Sequence, residues 1–113
     1  MTPVEKIMRT APVIPVLVIE DAAHARAIAE ALVAGGLPVL EVTLRTAAAL
    51  DAIAEMKKVP GAIVGAGTIV DVAGLDSAIA AGAEFIVSPG LTDNLGKAAV
   101  AKNIPFLPGV ASA

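Results

Sequence analysis

The chain has 113 residues, of which 57% are hydrophobic, 17% charged and 2% aromatic, with no cysteine and a formal net charge of -3. That length holds one domain and excludes a separate cofactor domain; the apolar fraction excludes disorder, and the missing cysteines exclude a disulfide framework. An acidic balance with only Phe85 and Phe106 as stacking platforms argues against nucleic acid as a partner.

Mean hydropathy is +0.82, yet the longest charge-free stretch, residues 59–70, contains Pro60 and three glycines and fits no transmembrane helix. Glu5, Lys6 and Arg9 precede the first apolar run, and no small-residue cleavage site follows a long apolar core. No signal peptide is read there, and a cytoplasmic, non-membrane location is expected.

Along the chain a short helix is predicted over 3–9, with Ile7 and Met8 as its apolar side. Strands are predicted over 13–19, 39–43, 63–66 and 85–88, with a fifth at Phe106 and Leu107. Helices fall between them over 22–34, 47–57, 73–81 and 93–102. Strand starts recur every 20 to 26 residues or so, about one compact strand-plus-helix unit, and such alternation makes a parallel sheet covered by helices. Asp21, Thr46 and Asp71 are N-cap types at helix starts, and Gly35 and Gly82 stand where left-handed C-caps are expected. No linker interrupts the pattern, so residues 1–113 read as a single domain.

Side chains alternate along a strand, so Val39, Glu41 and Thr43 share one face of the second strand, and Leu40 and Val42 share the other. A doubly wound sheet buries both faces under helices and accommodates a mid-strand carboxylate poorly. A (β/α)8 barrel directs one face into an interior that opens at the C-terminal rim, where Arg45, Thr68 and Ser88 also fall. Such a barrel has eight units over about 250 residues, whereas five strands are visible here. The expected fold is therefore α/β, a partial TIM barrel of about five parallel strands and four to five helices. With no helix read after the fifth strand, strand edges and apolar surface stay uncovered, and association is expected.

Several residues admit plainer readings. Glu41 could pair with Arg45 for structural reasons, and Arg45 could be an exposed loop cation. Gly65-Ala66-Gly67-Thr68 lacks the third glycine of a dinucleotide loop and the lysine of a P-loop, so small residues crowding a barrel interior explain it better. His24, the only histidine, reads as a solvated helix residue. Ser88 has no histidine partner or oxyanion motif in view, which disfavours a hydrolase.

The strings VIPVLVI (13–19), ALVAGGLPVLEVTLRT (31–46), AIVGAGT (62–68), GAEFIVSPGL (82–91) and IPFLPGV (104–110) resemble the 2-keto-3-deoxy-6-phosphogluconate aldolases, also called 4-hydroxy-2-oxoglutarate aldolases. The order and spacing match along the whole chain, which looks like the N-terminal half of such an enzyme. The resemblance implies a cytoplasmic homotrimer of (β/α)8 barrels, a class I aldolase that uses no metal and no cofactor. It releases pyruvate and an aldehyde, glyceraldehyde 3-phosphate in the main reaction, through a Schiff base on lysine.

By the same resemblance Glu41 is the general acid/base, Arg45 and Thr68 hold the substrate carboxylate, and Pro89 forms pocket wall. The family's Schiff-base lysine lies on a sixth strand that has no counterpart here. Lys6, Lys57, Lys58, Lys97 and Lys102 all fall on predicted helices or their ends, where solvation keeps an amine protonated. The isolated chain is thus expected to be inactive, an aldolase half or alternatively a half-barrel assembly module that pairs with a second copy or a complementary half.

Overall fold

The computed structural model describes residues 2–11 and 13–111. Helix α1 (Pro3–Thr10) leads into β1 (Val16–Leu17); a 3-10 turn (Ala22–His24) then continues into α2 (Ala25–Ala34). The alternation proceeds through β2 (Val39–Thr43), α3 (Ala49–Met56), β3 (Ile63–Gly67), α4 (Val72–Ala81), β4 (Ile86–Ser88), α5 (Asp93–Ala101) and β5 (Phe106–Pro108).

The strands form one parallel sheet in the order β1-β2-β3-β4-β5, each beside its sequence neighbour. This sequential order belongs to barrels; a doubly wound sheet reverses direction at a switch point. The expected partial barrel of five parallel strands is what forms.

Two apolar clusters separate the faces of the sheet. On the outer face Leu40, Val42, Val64, Ala66 and Ile86 pack against Ala25, Ala29, Ala52, Ile53, Met56, Leu75, Ala78, Leu95 and Ala99 of the helices. Alanine dominates the helix side of this contact, which lets the helices lie close to the strands. On the inner face Val39 and Phe85 meet Ile7 and Ala11, with Ile14, Ile63, Val87 and Leu107 around them. Val39 and Ile63 begin their strands and Phe85 precedes β4, so α1 closes the N-terminal end of the interior. Each large side chain buried this way stabilises the fold by roughly 1.5–3 kcal/mol before entropy is counted.

The helix ends repeat one device. Leu37 N–H donates to Leu32 O (2.9 Å), Ala83 N–H to Ala78 O (3.0 Å) and Ile104 N–H to Ala99 O (3.3 Å), the six-to-one bond of the Schellman motif. The left-handed residue inside each is Gly36 (φ 92), Gly82 (φ 104) and Asn103 (φ 54). Gly82 caps as expected. Gly35 does not, because its φ is -82; helical geometry runs one residue further and the left-handed turn falls on Gly36.

Other expectations are corrected locally. The first strand is only Val16–Leu17 instead of 13–19: the ladder to β2 pairs just Val16 with Glu41 and Leu17 with Val42, and Pro15 has no N–H to offer it. Helix α3 starts at Ala49 rather than residue 47, and Thr46 is no cap: its hydroxyl donates to Ile19 O and ties the β2 exit to the β1 exit. Met8 is exposed while Ile7 is buried, so the apolar side of α1 is Ile7 alone of that pair. Asp21 and Asp71 do cap their helices, accepting from Ala23 N–H and Gly74 N–H. Thr92, not anticipated, caps α5 by accepting from Leu95 N–H.

Candidate active site

Parity places Glu41 and Thr43 on the inner face, beyond the apolar plug and toward the C-terminal ends of the strands. Both are nearly closed off from solvent, Glu41 at 8% exposure and Thr43 at 2%. Thr43 Oγ1 donates to Leu17 O (3.2 Å), which holds the short β1 to β2 near the same rim. Glu41 sits opposite Gly65 and Thr43 opposite Gly67 in the parallel register. Those two glycines leave β3 bare where Phe85 and Glu41 lean over it: a Cβ at Gly65 would overlap the Phe85 ring, and one at Gly67 the Glu41 carboxyl. Close approach inside the barrel, and not a phosphate cradle, accounts for the GAG spacing.

Burial pushes the Glu41 carboxyl above the ordinary glutamate range, and the positive charge of Arg45 offsets part of that rise. Glu55 is the opposite case. On the surface between α2 and α3, hydrogen bonds from Lys58 and then Arg26, both at 2.9 Å, hold it below the ordinary range. A glutamate that keeps its proton to higher pH suits proton transfer near neutrality.

Arg45 lies in the turn after β2 and Thr68 directly after β3, and Arg45 Nε donates to Thr68 Oγ1 (3.4 Å). Arg45 is exposed at the mouth, with Nε engaged and the Nη fork of a type suited to a carboxylate. Thr68 holds a φ of 60. Left-handed backbone at a β-branched residue is strained by on the order of 1–3 kcal/mol, and such strain recurs at functional sites. Glu41, Arg45 and Thr68 are thus brought together at the C-terminal mouth of β2 and β3.

Pro89 stands apart from them, on the loop after β4. It lines a cleft of about 620 Å³ with Gly90, Leu91, Gly109, Val110 and Ala111, and a smaller one of about 270 Å³ that includes Val70, two residues beyond Thr68. Ser88 is buried and its hydroxyl donates to Gly90 O, so it shapes this loop. All five lysines lie off the strands: Lys6 on α1, Lys97 on α5, Lys57 and Lys102 at the ends of α3 and α5, and Lys58 in the turn that follows Lys57. His24 is exposed at the end of the 3-10 turn. Among the described residues no cluster of acidic or histidine side chains could hold a metal ion, and no helix is long and apolar enough to cross a membrane.

A family profile described as KDPG and KHG aldolase matches residues 4–113. The chain belongs to the KDPG and KHG aldolase family. A 2-dehydro-3-deoxy-phosphogluconate aldolase of Zymomonas mobilis is 65% identical over all 113 residues, which cover 54% of that relative. The crystal structure of the 2-keto-3-deoxy-6-phospho-gluconate aldolase from Zymomonas mobilis ATCC 29191 superposes with a TM-score of 0.94 at 65% identity, over 97% of this chain and 53% of that one. A KDPG aldolase from Legionella pneumophila, solved with pyruvate captured as a covalent carbinolamine, superposes with a TM-score of 0.91 at 43% identity, over 99% of this chain and 54% of that one. The chain therefore spans about half the length of the KDPG and KHG aldolases it matches.

The close approach at Gly67 could not be read residue by residue from the sequence, since it depends on a diagonal contact between strands. The GAG spacing was the signal. Thr43 was placed on the correct face by alternation alone, but its bond to Leu17 needed the register.

Proposed function

We propose that this chain supplies the acid/base and carboxylate-binding part of a class I, Schiff-base aldolase that cleaves 2-keto-3-deoxy-6-phosphogluconate to pyruvate and glyceraldehyde 3-phosphate. The observation that carries this reading is the buried Glu41 carboxyl, raised in pKa, beside Arg45 and Thr68 at the mouth of the barrel strands. In the reaction a neutral lysine amine attacks the substrate ketone and, with loss of water, becomes an imine. A base then takes the hydroxyl proton as the carbon–carbon bond breaks, the aldehyde leaves, and an acid returns a proton to the enamine to give the pyruvate imine, which water hydrolyses. Glu41 is assigned these proton transfers, Arg45 and Thr68 the carboxylate, and Pro89 a wall of the pocket.

The lysine is assigned to a complementary part, because each of the five here lies on a helix or in a turn beside one. The covalent pyruvate adduct in the Legionella pneumophila relative supports the imine route. The reading places the chain as the N-terminal half of the enzyme, in the cytoplasm, and within a homo-oligomer, a trimer by family resemblance, or paired with a complementary half-barrel. Treatment with pyruvate and borohydride tests it: the chain alone should gain no covalent adduct. The chain combined with the remaining half of the Zymomonas mobilis relative should gain one on that half. An adduct on any of the five lysines of this chain would contradict the assignment.

The alternative, a half-barrel acting as an assembly module, is favoured by one feature: Val16 and Val18 at the β1 edge are 61% and 50% exposed. Light scattering distinguishes the two. A stable self-association of the chain that survives addition of the complementary half supports the module, and its displacement by that half supports the aldolase.

A further inference from the structure

We propose that Gly67 is a positioning residue for Glu41: by carrying no side chain it gives the Glu41 carboxyl its place across β3 inside the barrel. The inference rests on the acid/base reading of Glu41 and extends it to a residue that touches no substrate. In the register Glu41 faces Gly65, yet its side chain leans two pairs further toward the C-terminal mouth and comes to lie over Gly67. A Cβ built at Gly67 would overlap Oε2 and stand 2.7 Å from Cδ and 3.0 Å from Cγ. All three nearest atoms belong to Glu41; backbone is not among them. At Gly65 the three nearest atoms all belong to the Phe85 ring. One strand thus uses two bare positions for two tasks, Gly65 to admit the apolar plug and Gly67 to admit the acid.

The chemistry of the obstacle decides what a methyl group would do. Gly67 is not among the glycines with positive φ, so alanine suits its backbone and, with no obstacle, would lower the entropy of the unfolded chain. The obstacle is the end of a flexible side chain, which escapes by rotating toward the open mouth. A Gly67→Ala chain therefore keeps its sheet and moves the carboxyl from a desolvated position to a hydrated one. Desolvation is the main cause of the raised Glu41 pKa, so the displacement is read directly in that group's titration.

The test compares four forms of the full chain: native, Gly67→Ala, Glu41→Ala, and the double variant. Carbon-13 NMR follows the Glu41 carboxyl in the first two, and urea midpoints are measured for all four. The expected results are a native titration above that of an ordinary glutamate, a shift back toward the ordinary value in Gly67→Ala, and a urea midpoint that responds less favourably to Gly67→Ala in the native background than in the Glu41→Ala background. In the Glu41→Ala background the same Gly67→Ala change should leave the midpoint unchanged or raised.

A raised titration that persists unchanged in Gly67→Ala overturns the positioning role and leaves the acid/base reading standing. An ordinary titration in the native chain overturns the acid/base reading, and the urea cycle then judges Gly67 alone. If Gly67→Ala does not fold, the Glu41→Ala pair still decides: equal midpoints support the inference, and a large loss in that background overturns it.

Discussion

The two faces of the same five strands are built to different ends. On the outer face the residues of the central strands that meet the helices are apolar and buried, namely Leu40, Val42, Val64, Ala66 and Ile86, while Leu17 and Phe106 of the two outermost strands are half-buried. On the inner face the character changes along the barrel axis. Its N-terminal end is a plug of Val39, Phe85 and Ile7; its C-terminal end holds Glu41 and Thr43, with Arg45 and Thr68 at the mouth. Parity along a strand therefore separates packing from chemistry, and height within the barrel then separates plug from site. The plug matters to the chemistry as well, because a floor that excludes water keeps Glu41 desolvated.

The largest effect expected from this contrast comes from emptying the plug. Phe85→Ala should cost roughly 3–5 kcal/mol of stability and Leu40→Ala on the outer face roughly 2–5 kcal/mol, both read from urea unfolding. A negligible loss for Phe85→Ala would show that the inner cluster is no core, and the division by height would fall with it. A smaller effect is expected at Thr68. Thr68→Gly exchanges left-handed strain for glycine's entropy cost, so stability should stay within about 1 kcal/mol of native. Pyruvate binding, followed by calorimetry in the combined enzyme, should weaken. A clear loss of stability with unchanged pyruvate affinity would make Thr68 structural.

The subtlest expected effect is a slope with pH. Glu41 has a folded pKa above its unfolded value, so the folded state binds the proton more tightly. Stability from this group is greatest below the unfolded pKa and is lost as pH rises through the raised folded value. Native chain should therefore lose stability over that window relative to Glu41→Gln, which has nothing to titrate there. Parallel curves for the two chains would show that Glu41 is not desolvated.

Much of this arrangement could be read in advance from the sequence, and the exceptions share a cause. Strand β2 was predicted to the residue and β3 to within one, because alternation marks Val39 to Thr43 and small residues mark Ile63 to Gly67. The placement of Glu41, Arg45 and Thr68 at one mouth followed from period two and sequential strands. What escaped depends on partners distant in sequence. β1 is short because its register with β2 pairs only Val16 and Leu17; Thr46 bonds to Ile19 O instead of capping; Gly67 is shaped by a side chain two strand positions off its own register pair. The left-handed residue at Gly36 rather than Gly35 is a smaller miss of the same kind, since one extra helical residue is set by where Leu37 finds its acceptor.

The most direct test of the central claim, that the inner rim is the acid/base part of an aldolase site, is Glu41→Gln in the enzyme formed with the complementary half. The account predicts turnover lower by about 10²–10⁴-fold, the usual contribution of a general acid/base, while borohydride still traps pyruvate on the partner lysine. Turnover at the native rate, or loss of trapping together with turnover in a folded enzyme, would contradict it.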